Sequence, residues 1–153
     1  MQTGSLPILI ATLIPATTWA LCQQSPEARL FFDRLSGDWQ GEAVTTPVGP
    51  LPYDISFRHR GPFWIYGEAD PGAAIHQWDF YCEDEELLLR FLSTFGGNRD
   101  PLLLEPIRIT DSEIHFKAQD PDFLEVKVRF GARHSAFEIL HYGERHVLIE
   151  LER

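Results

Sequence analysis

Histidines are the side chains of this sequence best suited to chemistry near neutral pH, and the chain has six of them. His59, His76 and His141 each lie in a stretch where apolar and polar residues alternate, and each shares its phase with apolar neighbours. A histidine on an apolar face is usually a hydrogen-bonded core or pocket residue. Because the sequence also lacks the His-x-His, His-x3-His and Cys-x2-Cys spacings of zinc or copper sites, we predict a ligand pocket and no metal site.

His146 has two alternative placements. It shares its phase with Leu148, Glu150 and Glu152, which predicts an exposed histidine near a turn. A β-bulge after Arg145 would turn it inward instead, because bulges re-aim the side chains next to them. The alternation alone leaves both placements open.

The remaining motifs favour structure over catalysis. The acidic run at 83–86 lacks the glycine and the alternating oxygen ligands of a calcium loop. The Gly-Gly-Asn run at 96–98 is not followed by the Lys-Ser/Thr and helix that cradle phosphate. No Gly-x-Ser-x-Gly nucleophile elbow occurs. The sequence therefore favours a binding protein over an enzyme.

One helix and about ten short strands must position these residues. Ser25, Pro26 and Glu27 form a helix start, and Gly37 ends the helix. From Trp39 onward apolar residues recur every second position, in runs separated by turn residues at ~8–12-residue spacing. We predict an all-β fold: an up-and-down antiparallel β-barrel of about 8–10 strands, lipocalin-like and preceded by a short helix, with a sandwich as the alternative.

The predicted interior is aromatic but leaves some space. Phe57, Trp78 and Phe80 fall on the apolar face, and we expect them to bind a ligand together with the histidines. Gly41 and Ala43 follow Trp39 on its own face and are small enough to leave room beside them. A fully packed barrel without a cavity is the alternative.

Charge and the first residues indicate the compartment. The net charge of −10 argues against nucleic acid as a partner, because such binding depends on Lys and Arg. No residue before Glu27 is charged, and the apolar run at 6–22 has the length of a signal-peptide core rather than of a membrane span. We expect a signal peptide over 1–22 and one domain over 23–153, secreted or periplasmic and without a stable membrane span after cleavage; without a signal peptide the protein would be cytoplasmic.

Two cysteines leave the redox state open. Cys82 has apolar neighbours, which predicts a buried and unreactive thiol. A disulfide between Cys82 and Cys22 would form only if Cys22 stays in the mature chain, and the spacing does not decide this.

The chain resembles the calycin (lipocalin-like) β-barrels. Their shared pattern is a Gly-x-Trp at the start of the first strand and an arginine at the end of the last, matched here by Gly37, Trp39 and Arg153. The resemblance implies that Arg153 lies across the indole of Trp39 and closes one end of the barrel. Both residues are therefore expected to be structural.

Within the calycins, the sequence is similar to the nitrobindin-like haem-binding group. The similar segments are GDWQGE, GPFWIY, AIHQWDFY and HVLIELER, at 37–42, 61–66, 74–81 and 146–153. The group's second glycine pair and Tyr-Pro-Thr-Ile segment are absent, and TTPVGPLPYDI stands there instead. The resemblance implies haem as the cofactor, His146 as its iron ligand and nitrogen oxides as substrates.

Three functions follow from these patterns. The first is the binding of a small apolar molecule inside the barrel. The second is a haem protein of the nitrobindin kind, in which a histidine holds the iron. The third is a non-catalytic envelope or surface protein that presents its loops to a partner and binds nothing inside.

Overall fold

The computed structural model describes residues 22–153, which begin with a 3-10 turn at Cys22–Gln24 and a helix, α1, at Pro26–Leu35. The Ser25 side chain caps α1 by accepting a hydrogen bond of 3.2 Å from the Ala28 amide. Ala28, Phe31, Phe32 and Leu35 are buried on one face. The predicted helix start and its amphipathic face are confirmed.

Eleven strands follow α1, and ten of them form the barrel. Their bounds are β1 Gly37–Thr45, β2 Leu51–Pro52, β3 Ile55–Gly61, β4 Trp64–Ala69, β5 His76–Glu83, β6 Glu86–Ser93, β7 Leu102–Ile109, β8 Glu113–Ala118, β9 Leu124–Phe130, β10 His134–His141 and β11 Glu144–Glu152. A 3-10 turn at Phe95–Gly97 separates β6 from β7.

The sheet is antiparallel and closes on itself. From β3 to β11 each strand pairs with the next in sequence, β3 pairs with β1, and β11 returns to pair with β1. The two-residue β2 pairs with β1 and stands outside this ring. The predicted up-and-down barrel is therefore confirmed, at the upper limit of the predicted strand number, and the β1–β11 pairing rules out a sandwich.

The closure of the barrel depends on Gly41. Gly41 lies opposite Leu151 across the β1–β11 pair, and a Cβ on it would clash with the backbone carbonyl of Glu150. The sequence suggested that this glycine leaves room for a ligand. Its structural role is instead to let the first and last strands approach each other.

One end of the barrel is covered by α1. The ring of Phe31 packs edge-on against Phe80 and Phe130, with centroids 5.3 and 5.0 Å apart. Below the helix, the guanidinium of Arg153 lies 4.3 Å from the centroid of the Trp39 ring. The pairing that the calycin resemblance implied is present, and we call this the closed end.

Arg153 also forms hydrogen bonds with carbonyl groups at the C-terminal end of α1. It donates to the carbonyl oxygens of Arg34, Ser36 and Ala132, while the Trp39 indole N–H donates to the Leu35 carbonyl over 2.8 Å. These carbonyls include ones at the end of α1 that lack partners within the helix. Trp39 and Arg153 thus join the end of α1 to the first and last strands of the barrel.

A disulfide joins Cys22 to Cys82 near the closed end, with Cα atoms 5.9 Å apart and 60 positions between them in sequence. Cys82 is therefore paired, which answers the alternative that the spacing left open. The predicted signal peptide lies outside the described residues except for Cys22. Within residues 22–153, no helix has the length and apolarity needed to cross a membrane.

Candidate functional site

A cavity of about 270 Å³ occupies the end of the barrel opposite α1, which we call the open end. Five connections meet there, at 46–50, 70–75, 94–101, 119–123 and 142–143. Most side chains that line the cavity are apolar, among them Ala43, Leu51, Phe91, Leu102, Phe123 and Val147. An apolar cavity with a few polar groups is the usual form of a small-molecule site.

The floor of the cavity is aromatic. Phe91 lines the cavity and contacts Trp78 below it, with ring centroids 4.4 Å apart. Trp78 in turn contacts Phe137 at 4.9 Å and stacks on Phe80 at 6.4 Å. Because these rings fill the middle of the barrel, this cavity does not extend below them and lies at the open end.

Three histidines border the cavity. His76 is the first residue of β5 and is 7% exposed. His141, at the end of β10, and His146, near the start of β11, are half-buried at the cavity wall. His76 and His141 were both expected to line a pocket on the basis of their phase, and both border this one.

His76 is fixed by two buried aromatic residues. The indole N–H of Trp78 donates to the Tyr53 hydroxyl oxygen over 2.8 Å, and that hydroxyl lies 3.0 Å from Nδ1 of His76. Trp78 and Tyr53 are each 1% exposed. Burial lowers the pKa of His76 to about 4, and burial raises the pKa of Tyr53 above its usual range, so both groups are uncharged at neutral pH.

A bulge brings His146 into the site. Ile139 pairs with Val147 and Leu140 pairs with Arg145, so His146 is the extra residue between two pairs. Its ring stacks on that of His141 with centroids 3.9 Å apart and planes 17° apart. The inward placement of His146 is therefore correct, and the exposed placement that its phase indicated is wrong.

His141 is held between aromatic and imidazole rings. The Phe123 ring meets it edge-on at 5.3 Å, on the side of the loop before β9. Burial lowers the pKa of His141, and the neighbouring His146 lowers it further through charge repulsion. His141 thus favours its uncharged form at an apolar wall.

His59 lies elsewhere. It is exposed, near the closed end of the barrel, and its Nδ1 lies 3.2 Å from the Gly61 carbonyl oxygen. The expectation that it shares the interior with Phe57 is wrong: its pairing with Ile65 keeps the phase of Phe57, but His59 lies near the end of β3, where its side chain is exposed. His59 does not border the cavity.

Phe57, Trp78 and Phe80 are inside the barrel as predicted, each at most 1% exposed. None of them lines the cavity, because they form the aromatic filling beneath it. Sequence reasoning missed the part of the lining that comes from connections such as 46–50, 70–75 and 94–101. Connections lack the alternation that marks a strand face, so no pattern pointed to them.

The cavity carries no fixed positive charge. No lysine or arginine of residues 22–153 lines it, and its one acidic lining residue, Asp100, is exposed at the mouth. In the same part of the chain, no three or more His, Cys, Asp or Glu side chains are grouped as a metal ion requires. What the arrangement offers is apolar surface bordered by the imidazoles of His76, His141 and His146.

Comparisons with known proteins add little to this geometry. No family model matches the chain, and no curated protein matches it. Among solved structures, it is similar to a redesigned beta barrel, at 13% sequence identity and a TM-score of 0.47, over 80% of this chain and 94% of that one.

Proposed function

We propose that this protein binds a small, mainly apolar molecule in the cavity at the open end of the barrel. The observation that carries the proposal is a cavity of about 270 Å³ whose walls are mainly apolar and whose floor is a packed aromatic layer. Sites for drug-sized ligands span ~300–1,000 Å³, so the volume suits a ligand near the small end of that range.

Displacement of a neutral apolar fluorophore, N-phenylnaphthylamine, tests this proposal. We expect the probe to gain fluorescence on binding and fatty alcohols or alkanes to displace it. Leu102 lines the cavity, whereas its neighbour Leu103 is exposed on the outside of β7. Leu102→Trp should therefore fill the cavity and abolish binding, while Leu103→Trp should bind the probe like the wild type.

Absence of probe binding by the folded wild-type protein would refute the proposal. Equal loss of binding in Leu102→Trp and Leu103→Trp would also refute it, because only one of the two side chains reaches the cavity. In either case two functions would remain: haem binding, and that of an envelope or surface protein that presents its loops and binds nothing inside.

Haem binding is the second candidate, and one observation favours it. The bulge in β11 turns His146 to the cavity wall, and a neutral imidazole is a common axial ligand of haem iron. His146 would hold the iron, with His141 stacked beside it, and the bound haem would supply the chemistry on nitrogen oxides. The Trp39–Arg153 contact supports the wider calycin resemblance.

The cavity volume favours a ligand smaller than haem. A cavity of about 270 Å³ lies below the ~300–1,000 Å³ typical of drug-sized ligands, so the loops of the open end would have to part for a macrocycle. A hemin titration decides the matter. A Soret band that His146→Ala loses and His59→Ala keeps would establish haem binding, and an unchanged hemin spectrum would exclude it.

We also propose that the protein is exported, to the periplasm or outside the cell. The Cys22–Cys82 disulfide supports this, because disulfides persist in oxidising compartments and are rare in the cytosol. Export would require cleavage of the leader before Cys22. Intact mass spectrometry of protein from its native host tests both points: we expect a mature chain that retains Cys22 and carries no free thiol, and a full-length reduced chain would refute the proposal.

A further inference from the structure

The hydrogen bonds beneath the cavity run in one direction. The indole nitrogen of Trp78 can only donate, so the Tyr53 oxygen accepts its proton. The Tyr53 O–H then needs an acceptor, and Nδ1 of His76, 3.0 Å away, is the one within reach among the described residues. Neutral His76 therefore carries its proton on Nε2.

The alternative tautomer leaves a buried group unsatisfied. If Nδ1 of His76 carried the proton, Tyr53 would accept twice and its own O–H would have no partner in a position that is 1% exposed. An unpaired buried hydroxyl is unfavourable. The hydrogen bonds from Trp78 to Tyr53 and from Tyr53 to Nδ1 of His76 thus leave the protonated Nε2 of His76 outside this network.

Nε2 of His76 faces the cavity without a partner. Among residues 22–153, nothing accepts a hydrogen bond from it, and Ser135 Oγ is the one completely buried side-chain polar atom without a partner. Nε2 therefore retains accessible surface, and the space that His76 borders is the cavity. The hydrogen bonds from Trp78 and Tyr53 thus orient the Nε2–H donor of His76 at the base of mainly apolar walls.

We propose that the cavity selects ligands with an apolar body and one uncharged acceptor oxygen, such as the carbonyl of a ketone or ester, which accepts the Nε2 proton of His76. This inference rests on the proposed function and adds the chemical class of the ligand. The acceptor end lies innermost, next to His76, and the apolar body lies between Phe91 and the wall toward His141.

The ligand head is uncharged because the site cannot balance a charge. No lysine or arginine of the described chain lines the cavity, and the exposed Asp100 at its mouth would repel an anion. A carboxylate placed beside neutral His76 would lose its hydration without gaining a counter-ion. A pure hydrocarbon would instead leave the His76 donor unpaired.

Three nine-carbon probes test the inference: methyl heptyl ketone, nonane and nonanoate, each measured by displacement of N-phenylnaphthylamine at neutral pH. We expect the ketone to bind ~5- to 10-fold more tightly than nonane, as one neutral hydrogen bond provides, and nonanoate to bind more weakly than both. His76→Phe keeps an aromatic ring but removes the donor, so it should bring the ketone-to-nonane ratio close to one. His59→Phe, a change on the outside of the barrel, should leave the ratio as in the wild type.

The outcomes separate the inference from the proposed function. If none of the three probes displaces the fluorophore and the fluorophore itself does not bind, the proposed function fails. If the ketone and nonane bind equally, or nonanoate binds best, apolar binding stands and the role of His76 is overturned. The ketone-to-nonane affinity ratio of the wild type can be measured without any variant. Should His76→Phe not fold, a shift of the His76 Nε2 resonance on addition of ketone but not of nonane would establish the contact.

Discussion

The burial of a neutral histidine makes the stability of this protein depend on mild acid. Burial lowers the pKa of His76 from 6.5 to about 4 in the folded state, while the unfolded chain keeps the ordinary value. The unfolded state therefore binds a proton more readily between these two values. Above about pH 6.5 the contribution of His76 to stability is fully present, and it is lost as the pH falls toward 4.

The size of this effect follows from the difference between the two values. Proton linkage predicts a loss of about 2 kcal/mol near pH 5 and about 3 kcal/mol near pH 4, relative to neutral pH. A small domain has a total stability of only ~5–15 kcal/mol, so this one side chain removes a measurable share of it. The acidic residues of the chain also titrate in this range, and a reference variant is needed to subtract them.

His76→Gln is that reference. The glutamine carbonyl can still accept from the Tyr53 hydroxyl, and its amide does not titrate. Urea unfolding followed by tryptophan fluorescence gives the free energy of unfolding of both proteins between neutral pH and about pH 4.5. We expect the wild type to lose stability relative to His76→Gln by about 2 kcal/mol as the pH falls to about 5.

An NMR titration of His76 checks that this histidine causes the pH dependence. The Cε1–H resonance of His76 should titrate with a midpoint well below 6 in the folded protein. A constant stability difference between the two proteins over the whole range, or a midpoint near 6.5, would show that His76 is solvated and that the cavity floor is not as dry as the packing implies.

Three further changes test the barrel and its closed end by urea unfolding. Gly41→Ala places a methyl group against the neighbouring strand and should lower the free energy of unfolding by more than ~3 kcal/mol. Gly61→Ala, where the added carbon makes only an ordinary contact, should be tolerated. Equal effects of the two changes would contradict the close approach of the strands. Arg153→Ala should lower the free energy of unfolding by about 2 kcal/mol, and Arg153→Lys should recover less than half of this loss, because lysine cannot reach the same carbonyls while stacking on Trp39. Full recovery by lysine would show that only the positive charge of Arg153 matters. Cys82→Ala removes a disulfide that spans 60 positions, so it should lower the free energy of unfolding by up to ~4 kcal/mol in non-reducing buffer. Under reductant the variant and the wild type should be equally stable. The same stability difference in both buffers would assign the loss to packing instead.

The sequence predicts the barrel because its strands are half-buried. In β3, Ile55 and Phe57 are buried between exposed neighbours, and the polar turns between such runs imply antiparallel neighbours. The same alternation predicted that His76 lies inside. It failed at His59, which keeps the phase of Phe57 but is exposed near the end of β3. It could not decide for His146, because the bulge in β11 shifts the phase there by one residue.

The candidate site was less accessible to sequence reasoning for a geometrical reason. Tyr53 is 23 positions from His76 and 25 from Trp78, and only the rolled sheet brings the three together. The connections at the open end follow no period, so neither Phe123 nor the loop at 94–101 could be assigned to the cavity. The direction of the hydrogen bonds, and with it the ligand chemistry, is a property of the assembled barrel.

The helix across the closed end decides how a ligand could come and go. Among residues 22–153, α1 packs over one end and hydrogen-bonded strands surround the sides, so the cavity opens to solvent at the open end. A molecule that enters acceptor first must leave tail first. Any protein that collects the ligand at the open end would then contact its apolar tail and not the acceptor group that we propose His76 binds.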